Sequence, residues 1–284
     1  DEKKHRHLLN LRTDNLIFAS RLREADSCDA RRSFELPRGI WVSRSLLEPI
    51  LYHHAFPCRV WPDIERNRGQ FGTCLLLHMK LLDHLNIKKV HVVAVSAGGP
   101  SGICFASKYS ERVESLILQS AVTKQWLTAK DIEYKVGQII FRPPVEKAVW
   151  KLISALNNRF PEWIFKKMLS SFTTLPADQA MLKVTEGDIE EMRKMNNRQR
   201  SSRGFLLDLK NIDDLSFHHL KEISCPVLIM HCRYDRVVPA EHAFHAKKLI
   251  PFSEVYQADS WGHLIWLGTE GKSVSQKVIS FLKT

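Results

Sequence analysis

Hydrophobic and polar positions follow two different periods along the last two thirds of the chain. Leu75 to Leu85 is apolar at helical spacing, and Asn86-Ile87-Lys88-Lys89 ends that helix. Val90 to Val95 is a β-branched apolar run, which predicts a short strand buried on both faces. Ala97-Gly98-Gly99-Pro100 then opens a helix to about Tyr109. Proline is tolerated there because the first helical turn needs no amide donor from it. Val113 to Leu118 and Pro226 to Met230 predict two more buried strands. Glu241 to Leu249 predicts a helix, Glu254 to Gln257 a short strand, and Ser273 to Leu282 a closing helix. Strands alternating with helices in this way predict an α/β fold, a mostly parallel sheet covered by helices on both faces.

Residues 123–215 break the alternation. They carry helical patterns, few strand signals and many aromatics, among them Trp126, Phe141, Trp150, Phe160, Trp163, Phe165 and Phe172. The expected organisation is a core of residues 1–122 and 216–284 with a helical cap at 123–215. Most of these aromatics serve packing within that block, while some line a cavity against the core. The first 70 residues are the least regular. Leu8 to Phe18 offers one early strand, and Pro49 to His53 another, with proline at its first position.

Composition narrows the class. The 284 residues are 44% hydrophobic and 26% charged, which excludes a disordered or low-complexity chain. No apolar stretch is long enough for a membrane span. The opening DEKKHRH leads into apolar runs broken by charge, unlike a secretory signal. It also lacks an initial Met, as a fragment or processed form would. The net charge of +11 invites a nucleic-acid or membrane-surface partner, but the excess is spread along the chain. Its densest run, Arg193 to Arg203, reads as a solvated helix face, so no nucleic-acid partner is expected. The cysteines Cys28, Cys58, Cys74, Cys104, Cys225 and Cys232 include no C-x-x-C pair. Four of them sit in or beside apolar stretches, which favours buried thiols in a reducing cytoplasm.

One constellation carries chemistry. Ser96 lies between a buried strand and a helix start, in Ala94-Val95-Ser96-Ala97-Gly98. Small residues two before and two after it permit a sharp turn that exposes the hydroxyl at the carboxyl edge of the sheet. The Ala97 backbone N–H, at the helix start, would face developing negative charge. A serine nucleophile needs a base, and the base needs an orienting acid. Asp235 follows the strand beginning at Pro226, and His263 follows the strand Glu254–Gln257. Three loops from three parallel strands then converge at one edge. A lone serine before glycine is usually a turn residue, so shared order, edge and context carry the assignment. Asp259 is a rival acid, but it lies four residues before His263 on the same loop. The other histidines read as bland. His218-His219 lack ligand partners, and His242 and His245 are expected on a helix surface.

These segments resemble the α/β-hydrolase superfamily, and its small cap-bearing serine hydrolases in particular. The resemblance rests on VHVVAVSAGGPSGICFASKYSERVESLILQSAV, CPVLIMHCRYDRVVPAEHA and DSWGHLIWLG. It covers roughly residues 70–284, with the helical block in the cap's position. It implies Ser96 as nucleophile, His263 as general base then acid, and Asp235 as the orienting acid, with no metal or organic cofactor. PILYHHAFPCR resembles the family's His-Gly segment after an early strand, with Ala55 where glycine is usual. That alignment makes the Phe56 N–H the second oxyanion donor. The chain then reaches Leu75 too soon for the family's next helix and strand, as a deletion or misassigned exon would leave it.

The expected function is a cytoplasmic serine hydrolase that cleaves an ester or similar acyl bond of a small, partly apolar substrate. The same triad serves amide, lactone and carbon–carbon cleavage, and the fold does not choose among them. Relatives that dehalogenate haloalkanes or open epoxides carry aspartate at the position of Ser96. The alternative is a non-catalytic hydrolase-fold protein that binds a small apolar ligand, favoured by the irregular N-terminal third.

Overall fold

The computed structural model describes residues 16–19, 71–127, 131, 134–136, 139, 145–198 and 217–284. The expected strand at Pro49–His53, the Phe56 donor, Phe141, Cys28 and Cys58 lie outside these residues. Among the described residues, five strands form one parallel sheet in the order β1 to β5: β1 (Leu16–Ala19), β2 (Val90–Val95), β3 (Val113–Gln119), β4 (Val227–Cys232) and β5 (Ser253–Ala258). Strand β1 overlaps the end of the early strand expected at Leu8 to Phe18, whose residues 8–15 lie outside the described ones, and it pairs Leu16 with His91 and Ala19 with Ala94.

Alternation along each strand builds two cores. Val90, Val92 and Ala94 of β2, Leu116 and Leu118 of β3, and Val227 and Ile229 of β4 face one side. Its cover includes the helices α1 (Phe71–His84), α2 (Gly99–Lys108) and α8 (Glu241–Leu249). Val93, Ile117, Leu228 and Met230 face the other side, against Val274, Val278 and Phe281 of α9 (Gly271–Phe281). Such strands are buried on both faces, which explains why they read as continuous apolar runs. Asn86 ends the turn after α1 at φ 55, a left-handed conformation asparagine tolerates well. Gly102 lets α2 lie close to β2, since a Cβ there would come within 2.5 Å of the Ala94 Cβ.

Between β3 and β4 the described residues include the helices α3 (Val145–Arg159), α4 (Pro161–Phe172), α5 (Ala177–Leu182), α6 (Glu186–Arg198) and the short α7 (Phe217–Lys221). Helix α3 packs on α4 and α6. Phe165, Leu169, Ala180 and Met192 close around Trp261, Leu264 and Leu267 of the loop after β5. Trp261 is fully buried, worth about 3 kcal/mol of apolar burial. The nearby Lys183–Asp259 ion pair, at 2.8 Å and partly exposed, contributes under about 1 kcal/mol. Packing therefore seats this block.

The expectation of a surface His242 is corrected. Its side chain is 3% exposed, because it turns inward to accept the Thr123 N–H at Nδ1 over 3.0 Å. The Thr123 hydroxyl donates to the His242 carbonyl at 2.6 Å. His245 also reaches inward, with Nδ1 3.4 Å from that hydroxyl. Burial pushes the His242 pKa down from 6.5 to about 3, with Lys124 adding a smaller effect. The unfolded chain therefore takes up a proton that the folded chain refuses. This contribution is full above pH 6.5 and is lost as pH falls toward about 3. Urea unfolding midpoints are expected to drop from pH 7 toward acid, and His242→Gln is expected to flatten that dependence.

Candidate active site

The turn after β2 is strained where the sequence pattern places the serine. Ser96 has φ 53, and residues Ser96–Gly98 form a single 3-10 turn leading into α2. A non-glycine residue in this region costs on the order of 1 kcal/mol or more. Two neighbours hold the turn. The Val122 N–H donates to the Ser96 carbonyl at 3.0 Å. Gly99 admits the Val122 backbone so closely that a Cβ would fall 2.0 Å from its carbonyl oxygen. Ala97 lies inside the turn, directly ahead of α2.

Asp235 and His263 arrive on the loops after β4 and β5. The structure brings them together with Ser96. The Ser96 hydroxyl is 2.9 Å from His263 Nε2, and His263 Nδ1 is 2.8 Å from Asp235 Oδ2. A carboxylate only accepts, so Nδ1 carries the ring proton and Nε2 is left to accept from the serine. The other carboxylate oxygen, Oδ1, accepts the N–H groups of Val237 and Val238, each at 2.9 Å. Asp235 and His263 are 3% and 4% exposed, so this line of hydrogen bonds works away from bulk water. Asp259 stands apart, 62% exposed and paired with Lys183.

This chain matches the alpha/beta hydrolase fold over residues 64–268. It belongs to the alpha/beta hydrolase family. The uncharacterized hydrolase YcgS of Bacillus subtilis (strain 168) is 56% identical over 227 residues, 78% of this chain and 80% of that protein. A 2-hydroxy-6-oxononadienedioate/2-hydroxy-6-oxononatrienedioate hydrolase of Klebsiella pneumoniae is 30% identical over 208 residues, 71% of this chain and 65% of that protein. An alpha/beta hydrolase fold protein from Nakamurella multipartita is similar in structure, with a TM-score of 0.62 at 20% identity over 74% of each chain. Among the described residues, no cluster of His, Cys, Asp or Glu could hold a metal ion, and no helix is long and apolar enough to cross a membrane.

Three groups around the site escape sequence reasoning. Ser120, at φ 46, donates its hydroxyl to the His263 carbonyl at 2.8 Å and its N–H to Met230 at 2.8 Å. Nothing in the local pattern marks it. Phe172, the last residue of α4, stacks on His263 with ring centroids 6.3 Å apart and planes at 20°. Its carbonyl accepts the His263 N–H at 3.0 Å, and the Thr174 N–H donates to Tyr234 at 2.9 Å. The end of α4 thus ties the Asp235 loop to the His263 loop. The richness of this block in aromatics is the only sequence signal for that role. His231, four residues before Asp235, is the third group.

Gly262 makes the α4 contact possible. A Cβ there would come within 2.5 Å of the Phe172 carbonyl oxygen and 2.9 Å of the Thr173 Cβ. Gly262→Ala is expected to push α4 off the His263 loop and break the Phe172 hydrogen bond. A loss of about 1–3 kcal/mol, several degrees of melting temperature, is the expected readout in thermal denaturation.

Proposed function

We propose that this protein is a serine hydrolase that cleaves an ester or similar acyl bond of a small, partly apolar substrate. The observation that carries the reading is the unbroken line from the Ser96 hydroxyl through His263 to Asp235, at 2.9 and 2.8 Å. In this mechanism His263 Nε2 takes the Ser96 proton as Oγ attacks the carbonyl carbon. Negative charge gathers on the carbonyl oxygen, and the Ala97 N–H at the opening of α2 stabilises it. The C–O bond to the alcohol then breaks, and the alcohol leaves with the proton held by His263. Water gives a proton to the same nitrogen as its oxygen attacks the acyl carbon; the bond to Ser96 Oγ then breaks, that proton returns to Oγ, and the acid is released. Asp235 keeps Nδ1 protonated throughout. The scheme needs neither a metal nor an organic cofactor. Phe56 keeps its assignment as second oxyanion donor from the sequence resemblance alone.

Residues 123–215 act in this reading as a cap, and Phe172 gives the substrate side of His263 an apolar wall. The cytoplasm is the assigned compartment. Cys104, Cys225 and Cys232 are buried thiols, and burial pushes Cys225 and Cys232 up to about 11, which keeps them protonated and inert.

A second reading follows from the relatives. Several are 2-hydroxy-6-oxononadienedioate/2-hydroxy-6-oxononatrienedioate hydrolases, at 24–30% identity. The same nucleophile acting on a carbon–carbon bond next to a ketone would suit this chain as well. Parallel turnover of short activated esters and of a 2-hydroxy-6-oxo-dienoate separates the two.

Fluorophosphonate labelling read by peptide mass tests the common core of both. Ser96 is expected to carry the label, and Ser96→Ala to abolish it. Asp235→Asn should lower turnover by about 10⁴-fold, while Asp259→Asn stays near the unaltered protein. A folded chain that never labels at Ser96 would overturn the reading and favour a ligand-binding protein.

A further inference from the structure

His231 stands next to last in β4 and is 3% exposed. A buried imidazole loses its hydration and must recover it in hydrogen bonds. Both polar groups that Nε2 meets belong to the acid's own loop. Nε2 lies 2.8 Å from the Val238 carbonyl oxygen. A carbonyl only accepts, so Nε2 carries the proton. The N–H of the same Val238 donates to Asp235 Oδ1 at 2.9 Å. His231 Nε2 is also 3.4 Å from Asp235 Oδ2, the oxygen that accepts the hydrogen bond from the His263 Nδ1–H at 2.8 Å. A small closed circuit results: His231 holds Val238, Val238 holds one carboxylate oxygen, and the His231 N–H edge lies beside the other.

We propose that His231 is a positioning residue for Asp235, fixing the carboxylate so that Oδ2 presents one defined lone pair to His263. The proposal rests on the Ser96–His263–Asp235 reading. His231 touches no reacting atom in it; it acts through the acid. The imidazole works in its uncharged form. Burial lowers its pKa, and the attraction of Asp235 opposes that only in part. Its role is therefore that of a directed N–H dipole. A small displacement of an orienting group weakens the transition state far more than substrate binding. Loss of His231 should therefore act on kcat and leave KM in place.

The test begins on the unaltered protein. Long-range proton–nitrogen NMR of the imidazoles is expected to show the proton of His231 on Nε2 and that of His263 on Nδ1. A His231 proton on Nδ1 overturns the proposal, and this result needs neither turnover nor a variant. His231→Phe keeps a ring of similar size and removes the donor. It is expected to lower kcat and the rate of Ser96 labelling by about 10-fold or more at unchanged KM, and to shift the low-field His263 Nδ1 proton resonance. His231→Gln returns an N–H donor and is expected to recover most of the loss. Equal losses in both variants, or an unmoved His263 resonance in His231→Phe, sink the idea. Absence of labelling in the unaltered protein instead strikes the hydrolase reading, and the two NMR measurements still decide the placement of Asp235.

Discussion

A strand covered on both faces has no place for an uncompensated polar group. Strands β2, β3 and β4 are of this kind, with alternate residues committed to two separate cores. Polar groups in this sheet therefore need partners of their own or lie past the strand ends. Because all five strands run parallel, their carboxyl ends share one edge. The loops that carry Ser96, Ser120, Asp235 and His263 all leave from that edge. The rest of the site depends on this constraint.

Convergence alone does not fix atoms to within tenths of an ångström. The structure achieves that by tying each loop to its neighbour. Val122, past β3, holds the Ser96 turn, and Ser120, beside it, holds both Met230 at β4 and the His263 loop. Two residues at positive φ, Ser96 and Ser120, sit within this web. Their strain persists because several contacts over-determine each turn. Gly99 belongs to the same arrangement, since no side chain fits between it and Val122.

The helical block is fastened to the site itself. Thr173 forms an isolated antiparallel bridge with Asp235, and Phe172 covers His263. The interior of the block closes on Trp261, two residues before His263. Motion in α4 would thus reach Asp235 and His263 together. In the proposed reaction, substrate packed against Phe172 and the position of the imidazole are one mechanical unit.

The sheet, its helices and the order Ser96, Asp235, His263 are legible in the sequence, because each rests on local pattern: period, turn chemistry and strand-to-loop transitions. The described helices within residues 123–215 are legible in the sequence, but it does not tell which of their aromatics meets His263. The sequence prefers Asp235 to Asp259 only by the loop each stands on, and the fold adds that one is buried and the other lies at the surface. His242 reads as exposed because helix periodicity says nothing about Thr123, 119 residues away, which turns it inward. His231 and Ser120 are equally silent, since hydrogen bonds that span distant loops leave no periodic trace. Local pattern marks Ser96, Asp235 and His263 as candidates and the strand edge they share. Tertiary structure decided which of them touch, because contact between loops is set by how strands stack and not by neighbours along the chain.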